Sequence, residues 1–443
     1  MTRDEMPVRG AELAGAATGR TPHSRWILAT SALASLLECC VAEAERAPPL
    51  ARSAFGAGGG PLELIEAAAP LPGIQAQYRL EPRHGGCAPP DTRVGAAPVV
   101  VWKSGPWGVG RYNASKSSPA VDLESVYVGE DDGCLYALAR TTGQLLWSFT
   151  TRRHFEELGR GDGLNTGIHG SPAFDQEHVY IGDYAGWLYA VDRRTGELAW
   201  EAKLGGSIGS SPVRYARAVL IAVEYPGPEG RVFALRATDG APLYQSEWLG
   251  GHPHGTVSLA VEQDRLVVGT GAGGFFGLAL GAGDFLWEAR VGGAIKSTAA
   301  LGEGVAYVTA WDGMLHAFDL AGGKARFSVA TAGPSMSSPA WFEGRVVFGS
   351  HDGRLRAVDA GTGQLLWEAP TQGIISSSPT VVPDGRLVLV GSTDGQLYAF
   401  GLDDGALAWQ RPLDAPLTSV PVAVDRSVFV NDDSGTVWRF DTP

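Results

Sequence analysis

The chain is short of charge and of sulfur. Only 19% of its 443 residues are charged, and it carries four cysteines and four methionines. Four cysteines cannot staple a chain of this length, and no C-x-x-C pair is present. Cys39 and Cys40 are adjacent, while Cys87 and Cys134 stand alone, either as one bridge or as two thiols. No stretch reaches the ~18 consecutive apolar residues that a membrane-spanning helix needs. There is no Gly-X-Y period, which excludes collagen, and 44% hydrophobic residues exclude a wholly disordered chain. Acidic residues outnumber basic ones 48 to 35, for a net charge of −13. Such a field repels a phosphate backbone and argues against nucleic acid as a partner. In excess are glycine, with 61 residues, and tryptophan, with 13. Without long helical periodicity, that pairing points to many short strands and tight turns.

The first 97 residues read differently from the rest. Arg20, His23 and Arg25 precede an apolar stretch, 26–37, followed by Ala42-Glu43-Ala44. A basic flank, an apolar core and a small-x-small end make 1–44 a signal-like leader; a short amphipathic helix in a disordered tail is the alternative. Cys39 follows Glu38 rather than a small residue, which argues against lipidation there. Residues 45–97, rich in Ala, Pro and Gly, read as a solvated linker. The leader implies a periplasmic or secreted protein, its absence a cytoplasmic one.

Beyond this point one unit recurs. Ser118-Pro119, Ser171-Pro172, Ser211-Pro212, Ser338-Pro339 and Ser378-Pro379 share a slot, to which Ser258-Leu259, Thr298-Ala299 and Val420-Pro421 are assigned. The second positions are spaced by 53, 40, 47, 40, 40, 40 and 42 residues. An aromatic series keeps step at Trp147, Trp200, Tyr244, Trp287, Phe327, Trp367 and Trp409, each with a glycine four residues before it. In the sixth unit, 338–341, 345–348, 355–358 and 365–367 read as four strands, with Asp352-Gly353 and Thr362-Gly363 at turns. A ~40-residue repeat of four antiparallel strands predicts a β-propeller blade. The eighth unit lacks a fourth strand, and Val99-Val100-Val101-Trp102 resembles Leu145-Leu146-Trp147. An N-terminal strand is therefore expected to complete the last blade and close the ring. The predicted fold is all-β: a monomeric eight-bladed propeller of four-stranded antiparallel blades over 98–443.

The pattern Ala-x-Asp-x-x-Thr-Gly-x-x-x-Trp is intact over 190–200 and 357–367. It resembles the tryptophan-docking motif of pyrroloquinoline-quinone-type (PQQ-like) propeller repeats, found in bacterial quinoprotein dehydrogenases and in the outer-membrane protein assembly factor of the same fold. The resemblance implies that Trp102, Trp147, Trp200, Trp287, Trp367 and Trp409 dock blade on blade. It also raises PQQ with calcium, held in the channel under a vicinal cysteine disulfide. The vicinal pair here, Cys39-Cys40, falls in the leader, and the blades are of almost minimal length. No cofactor and no catalytic residue are therefore predicted. An enzyme of this kind would be a PQQ-dependent dehydrogenase-like oxidoreductase.

Blade-to-blade loops and middle hairpins open on one face, and that face holds the departures from the repeat. Loop 151–170 is long and contains His154, Arg160, Asp162, Asn165 and His169; hairpin 224–230 holds Pro226 and Pro228; loop 248–256 holds His252 and His254. Three residues before each slot lie Lys116, His169, Gly209, Thr256, Lys296, Met336, Ser376 and Thr418, a predicted ring round the channel mouth. Lys116, His169 and Lys296 make a candidate site for a small anionic or polar ligand, with a solvated rim as the alternative. Tyr184, Trp187, Tyr225, His252, His254 and Trp311 make a candidate face for a protein partner. His252-Pro253-His254 shows no third ligand in sequence, so no metal site is predicted. Gly269-x-Gly271-x-x-Gly274 falls on a middle hairpin with no helix after it and is not a dinucleotide fingerprint. The expected function is a non-catalytic scaffold that binds a protein or peptide. The alternative is a small-ligand binder or quinoprotein-type dehydrogenase using the central funnel.

Overall fold

The second strand of each repeat is largely buried on both sides, and the fourth is not. Val305–Ala310 is buried at every position, whereas Leu365–Pro370 alternates between buried and exposed. A strand buried on both faces must be sandwiched between neighbours, and a half-exposed one belongs on a rim. The computed structural model describes residues 74–76, 85–95, 97–108, 117–152 and 167–442, and these strands form eight antiparallel blades arranged as a propeller. Blade six runs from axis to rim as Ala340–Phe342, Arg345–Gly349, Arg354–Asp359 and Leu365–Pro370. Blade eight combines Val422–Val424, Ser427–Asn431 and Val437–Asp441 with Val99–Ser104, which pairs antiparallel through Val99↔Asp441 and Ser104↔Val437. The ring closes on this N-terminal strand, as the sequence predicts.

A chain of hydroxyls links the blades near the axis. The backbone N–H of Ser118, Ser171, Ser211, Thr256, Thr298 and Ser338 donates to the side-chain oxygen of the same slot one blade on, ending at Ser378, at 2.8–3.0 Å. Val420 N–H returns to Ser118 Oγ at 2.9 Å. This corrects the register in blade four, where Thr256 rather than Ser258 occupies the slot and the first strand is Ser258–Ala260. It also moves the first strand of blade six from Ser338 to Ala340, because Ser338 is held in the hydroxyl chain.

The seams between blades are closed by aromatic rings. Trp102, Trp147, Trp200, Trp287 and Trp367 donate Nε1–H to Arg140, Arg193, Ala237, Leu320 and Leu402 carbonyls at 2.9–3.0 Å. A Cβ at Gly143, Gly196, Gly240, Gly323 or Gly405 would fall within 2.8 Å of the corresponding ring, so only glycine lets the indole lie flat there. Trp409 has no such turn to meet, because the fourth strand of blade eight arrives from elsewhere in the chain. Its Nε1 is buried and finds no acceptor among the described residues.

Residues 85–94, which composition assigns to the solvated linker, pack on the propeller instead. Gly85 O accepts from Trp341 N–H, Ala88 N–H donates to Val381 O, and Arg93 N–H donates to Asp425 O. Ala88 and Val94 are buried in the core shared by blades seven and eight. Ile74–Ala76 pairs with Ala120–Asp122, the axial strand of blade one. Axial strands present an unpaired edge to the channel, and this segment satisfies part of it. The leader lies outside the described residues. Cys87 and Cys134 form no disulfide: Cys87 Sγ lies 3.3 Å from Trp341 O, and Cys134 Sγ lies 3.4 Å from Thr150 Oγ1.

Candidate functional site

A second set of serine contacts aligns the middle hairpins. Backbone N–H groups of Gly129, Ala222, Thr309, Gly349 and Asn431 each donate to the serine hydroxyl twelve residues earlier. Two residues further on stand Asp131, Glu224, Trp311, His351 and Asp433, where the hairpins turn at the channel mouth. With blade four in its corrected register, its mouth residue is His254 rather than Thr256. The hairpin residue of one blade then meets the mouth residue of the next. His169 Nε2 is 3.4 Å from Asp131 Oδ1, His254 Nδ1 is 2.8 Å from Glu224 Oε1, and His351 Nε2 is 3.2 Å from Ser376 Oγ.

The first two of these contacts involve buried acids. The Asp131 and Glu224 side chains are 4% and 3% exposed, and both Asp131 oxygens accept no hydrogen bond among the described residues. Burial pushes the Glu224 carboxyl up, but His254, His252 and His169 together outweigh it and hold the group below the usual carboxylate range. Tyr184 packs on His169 with ring centroids 4.1 Å apart. Gly209 keeps the space beside them open, since a Cβ there would lie 3.0 Å from Glu224 Oε1 and 3.3 Å from Tyr184. One arc of the mouth, over blades one to four, thus gathers acids and imidazoles in a partly dry setting.

Lys116 and residues 153–166, with His154, Arg160, Asp162 and Asn165, lie outside the described residues. Of the other predicted mouth ligands, His169 belongs to the acid–imidazole arc, whereas Lys296 lies over the Trp311 ring at 4.5 Å. The six residues of the predicted partner face are each half-buried. Trp187 is flanked by Arg152 and Lys203, each 5.4 Å from its ring, and Tyr225 donates its hydroxyl to Leu204 O. Sequence reasoning missed Glu224 and Trp248. Trp248 is 40% exposed, with the Arg231 guanidinium 3.7 Å above its ring and Tyr225 edge-on at 5.0 Å. A usable signal was present: Trp248 lies four residues past Tyr244, out of the docking slot.

The family described as outer membrane protein assembly factor BamB matches residues 131–299, 292–377 and 351–443. The chain belongs to this family. Outer membrane protein assembly factor BamB of Yersinia pestis is 27% identical over 248 residues, which is 52% of this chain and 60% of that protein. The chain therefore spans less than two thirds of that relative's length. BamB from Moraxella catarrhalis superposes with a TM-score of 0.62 at 18% identity, over 78% of this chain and 100% of that one. Quinohemoprotein alcohol dehydrogenase from Comamonas testosteroni gives 0.69 at 15% identity, over 88% and 83%. These two structures share the propeller fold.

The vicinal pair Cys39-Cys40, which the resemblance would set against a quinone, lies outside the described residues. Their cysteines are Cys87, which pairs with the axial strand of blade seven, and Cys134, on the third strand of blade one. No helix among the described residues is long and apolar enough to cross a membrane.

Proposed function

We propose that the chain is a non-catalytic binding module for a protein partner, acting in the assembly of outer membrane proteins from the periplasm, and that the partner docks on the loop face over blade three. The supporting observation is the shape of that blade. Its middle strands, Ala218–Tyr225 and Glu229–Arg236, are eight residues long where the other blades use five or six, and Leu249–Gly250 adds a further strand to the hairpin. The extended hairpin carries the Arg231 guanidinium over the exposed Trp248 ring, and arginine and tryptophan are enriched among the residues that dominate the energetics of protein interfaces. The family description supplies the setting.

Capture from an envelope fraction tests this. Wild-type protein should enrich a partner, and Trp248→Ala with Arg231→Ala should weaken the complex about 30-fold, as loss of a ~2 kcal/mol hot spot does. Absence of any enriched protein, or equal capture by the double variant, would sink the proposal.

A further inference from the structure

The tripeptide His252-Pro253-His254 connects blade three to blade four, and its shape is set by the residues round it. Gly251 takes a φ of +106°, where a Cβ would strike Ala272, and Pro253 sits over Gly230, whose Cβ would lie 2.2 Å from Pro253 Cδ. The His252 carbonyl accepts the N–H groups of His254 and Gly271. Both imidazoles point to one carboxylate, Glu224, whose backbone exchanges two 2.8 Å hydrogen bonds with Ser207.

One donor atom from each of the three side chains lies within 4.8 Å of the others. His252 Nε2 faces the carbonyls of Tyr225 and Gly227, which places its proton on that nitrogen and its lone pair on Nδ1. That lone pair looks at Glu224 Oε2 from 3.9 Å. The gap is too long for a hydrogen bond. It resembles the spacing of two ligands around one ion: with bonds of about 2.0–2.1 Å, tetrahedral neighbours stand roughly 3.4 Å apart. The carbonyls behind His252 are the kind of outer partner that fixes a metal-binding imidazole in its tautomer. Glu224 is buried, with Oε1 2.8 Å from His254 Nδ1 and Oε2 3.9 Å from His252 Nδ1, and a cation held between the imidazoles would compensate the buried charge.

We infer that Glu224, His252 and His254 form a binding site for a late first-row divalent cation, Zn2+ in chemical type, at the channel mouth. Two imidazoles and one carboxylate suit such an ion, whereas calcium and magnesium select oxygen ligands. Gly209 and Gly271 leave room beside the carboxylate and His254 for a fourth ligand, water or an anionic group. The histidine side chains, 21% and 24% exposed, give an ion access. The inference does not rest on the partner reading.

The test uses untagged full-length protein freed of metal, titrated with Zn2+ against a chromophoric chelator, with Co2+ in parallel to read d–d absorption. Wild type should bind one equivalent and show a four-coordinate Co2+ band. Glu224→Gln and His252→Ala/His254→Ala should bind about 100-fold more weakly and lose the band, while His351→Ala keeps both. Circular dichroism checks folding, and His252→Gln carries the same test if the double variant does not fold. Undiminished Zn2+ binding by the folded variants, or no binding by wild type below about 100 µM, overturns the site. Because these readouts use the isolated protein, their failure leaves partner capture a separate question.

Discussion

Blades five to seven follow one another at 40-residue intervals, and the ion pairs that join blade six to blade seven, Arg345 with Asp403 and Arg386 with Glu343, lie at the surface, whereas blades one to three carry a buried acid at each joint. Asp122 accepts the Tyr127 hydroxyl at 2.9 Å and faces Arg193 of blade two at 3.6 Å. Asp175 accepts the Tyr180 hydroxyl at 2.7 Å and Arg214 Nε of blade three at 2.8 Å. In blade five the matching Tyr307 donates instead to Ala360 O of blade six. On the loop face the same side of the ring holds Asp131 with His169 and Glu224 with His254. Burying charge is costly, and in blade six the buried pair, Arg356 with Asp352 at 2.6 Å, closes within one blade rather than across a joint. The arc whose buried acids span the joints is where recognition can reside.

The largest expected effect tests whether the regular arc is purely structural. Trp367→Ala removes the ring that lies on Gly405 and donates to Leu402 O, and should cost about 3–5 kcal/mol by urea unfolding. Zn2+ affinity should not move. If it falls with stability, the two arcs are one cooperative unit and the comparison breaks.

Asp175→Asn probes the charged joint. It leaves Arg214, 15% exposed, facing a neutral amide, and should cost about 2–4 kcal/mol at neutral pH. Burial pushes the Asp175 carboxyl up, but Arg214 and the backbone N–H groups of His178 and Glu177, with the Tyr180 hydroxyl, hold it below the ordinary range. A depressed carboxyl stabilises the fold above its unfolded-state value and loses that contribution as pH falls through its folded-state value. Wild-type and Asp175→Asn stabilities should therefore converge in acid, while Trp367→Ala keeps a constant offset. A constant offset for Asp175→Asn would show that the acid acts by packing, not charge.

How far these features could be read in advance depended on where their partners lie. Blade count, closing strand and aromatic seam were legible because each is a fixed spacing within or between units. The register of blade four was not. Thr256 and Ser258 both carry hydroxyls on either side of Val257, and the long hairpin of blade three makes the true spacings 45 and 42 rather than 47 and 40. That two-residue slip hid His254 from the mouth ring. Glu224 carried no motif of its own, since its histidines come from the loop that enters the next blade. Residues 85–94 were misread for a related reason: what orders them is the unpaired edge of axial strands far along the chain.

The smallest effect separates two tryptophans that look equivalent in sequence. Trp367 and Trp409 are both buried docking residues, but Trp367 Nε1 donates to Leu402 O at 2.9 Å while Trp409 Nε1 has no acceptor among the described residues. Trp367→Phe forfeits the hydrogen bond and part of the ring, and leaves the Leu402 carbonyl unsatisfied, for a loss of about 1–3 kcal/mol. Trp409→Phe loses similar ring area but also removes a buried donor that was already unsatisfied, so the two changes oppose each other and stability should stay within about 0.5 kcal/mol of wild type. Parallel urea curves decide it. Equal losses for both variants would mean that Trp409 does have a partner for its N–H, and that the seam closed by the N-terminal strand is built like all the others.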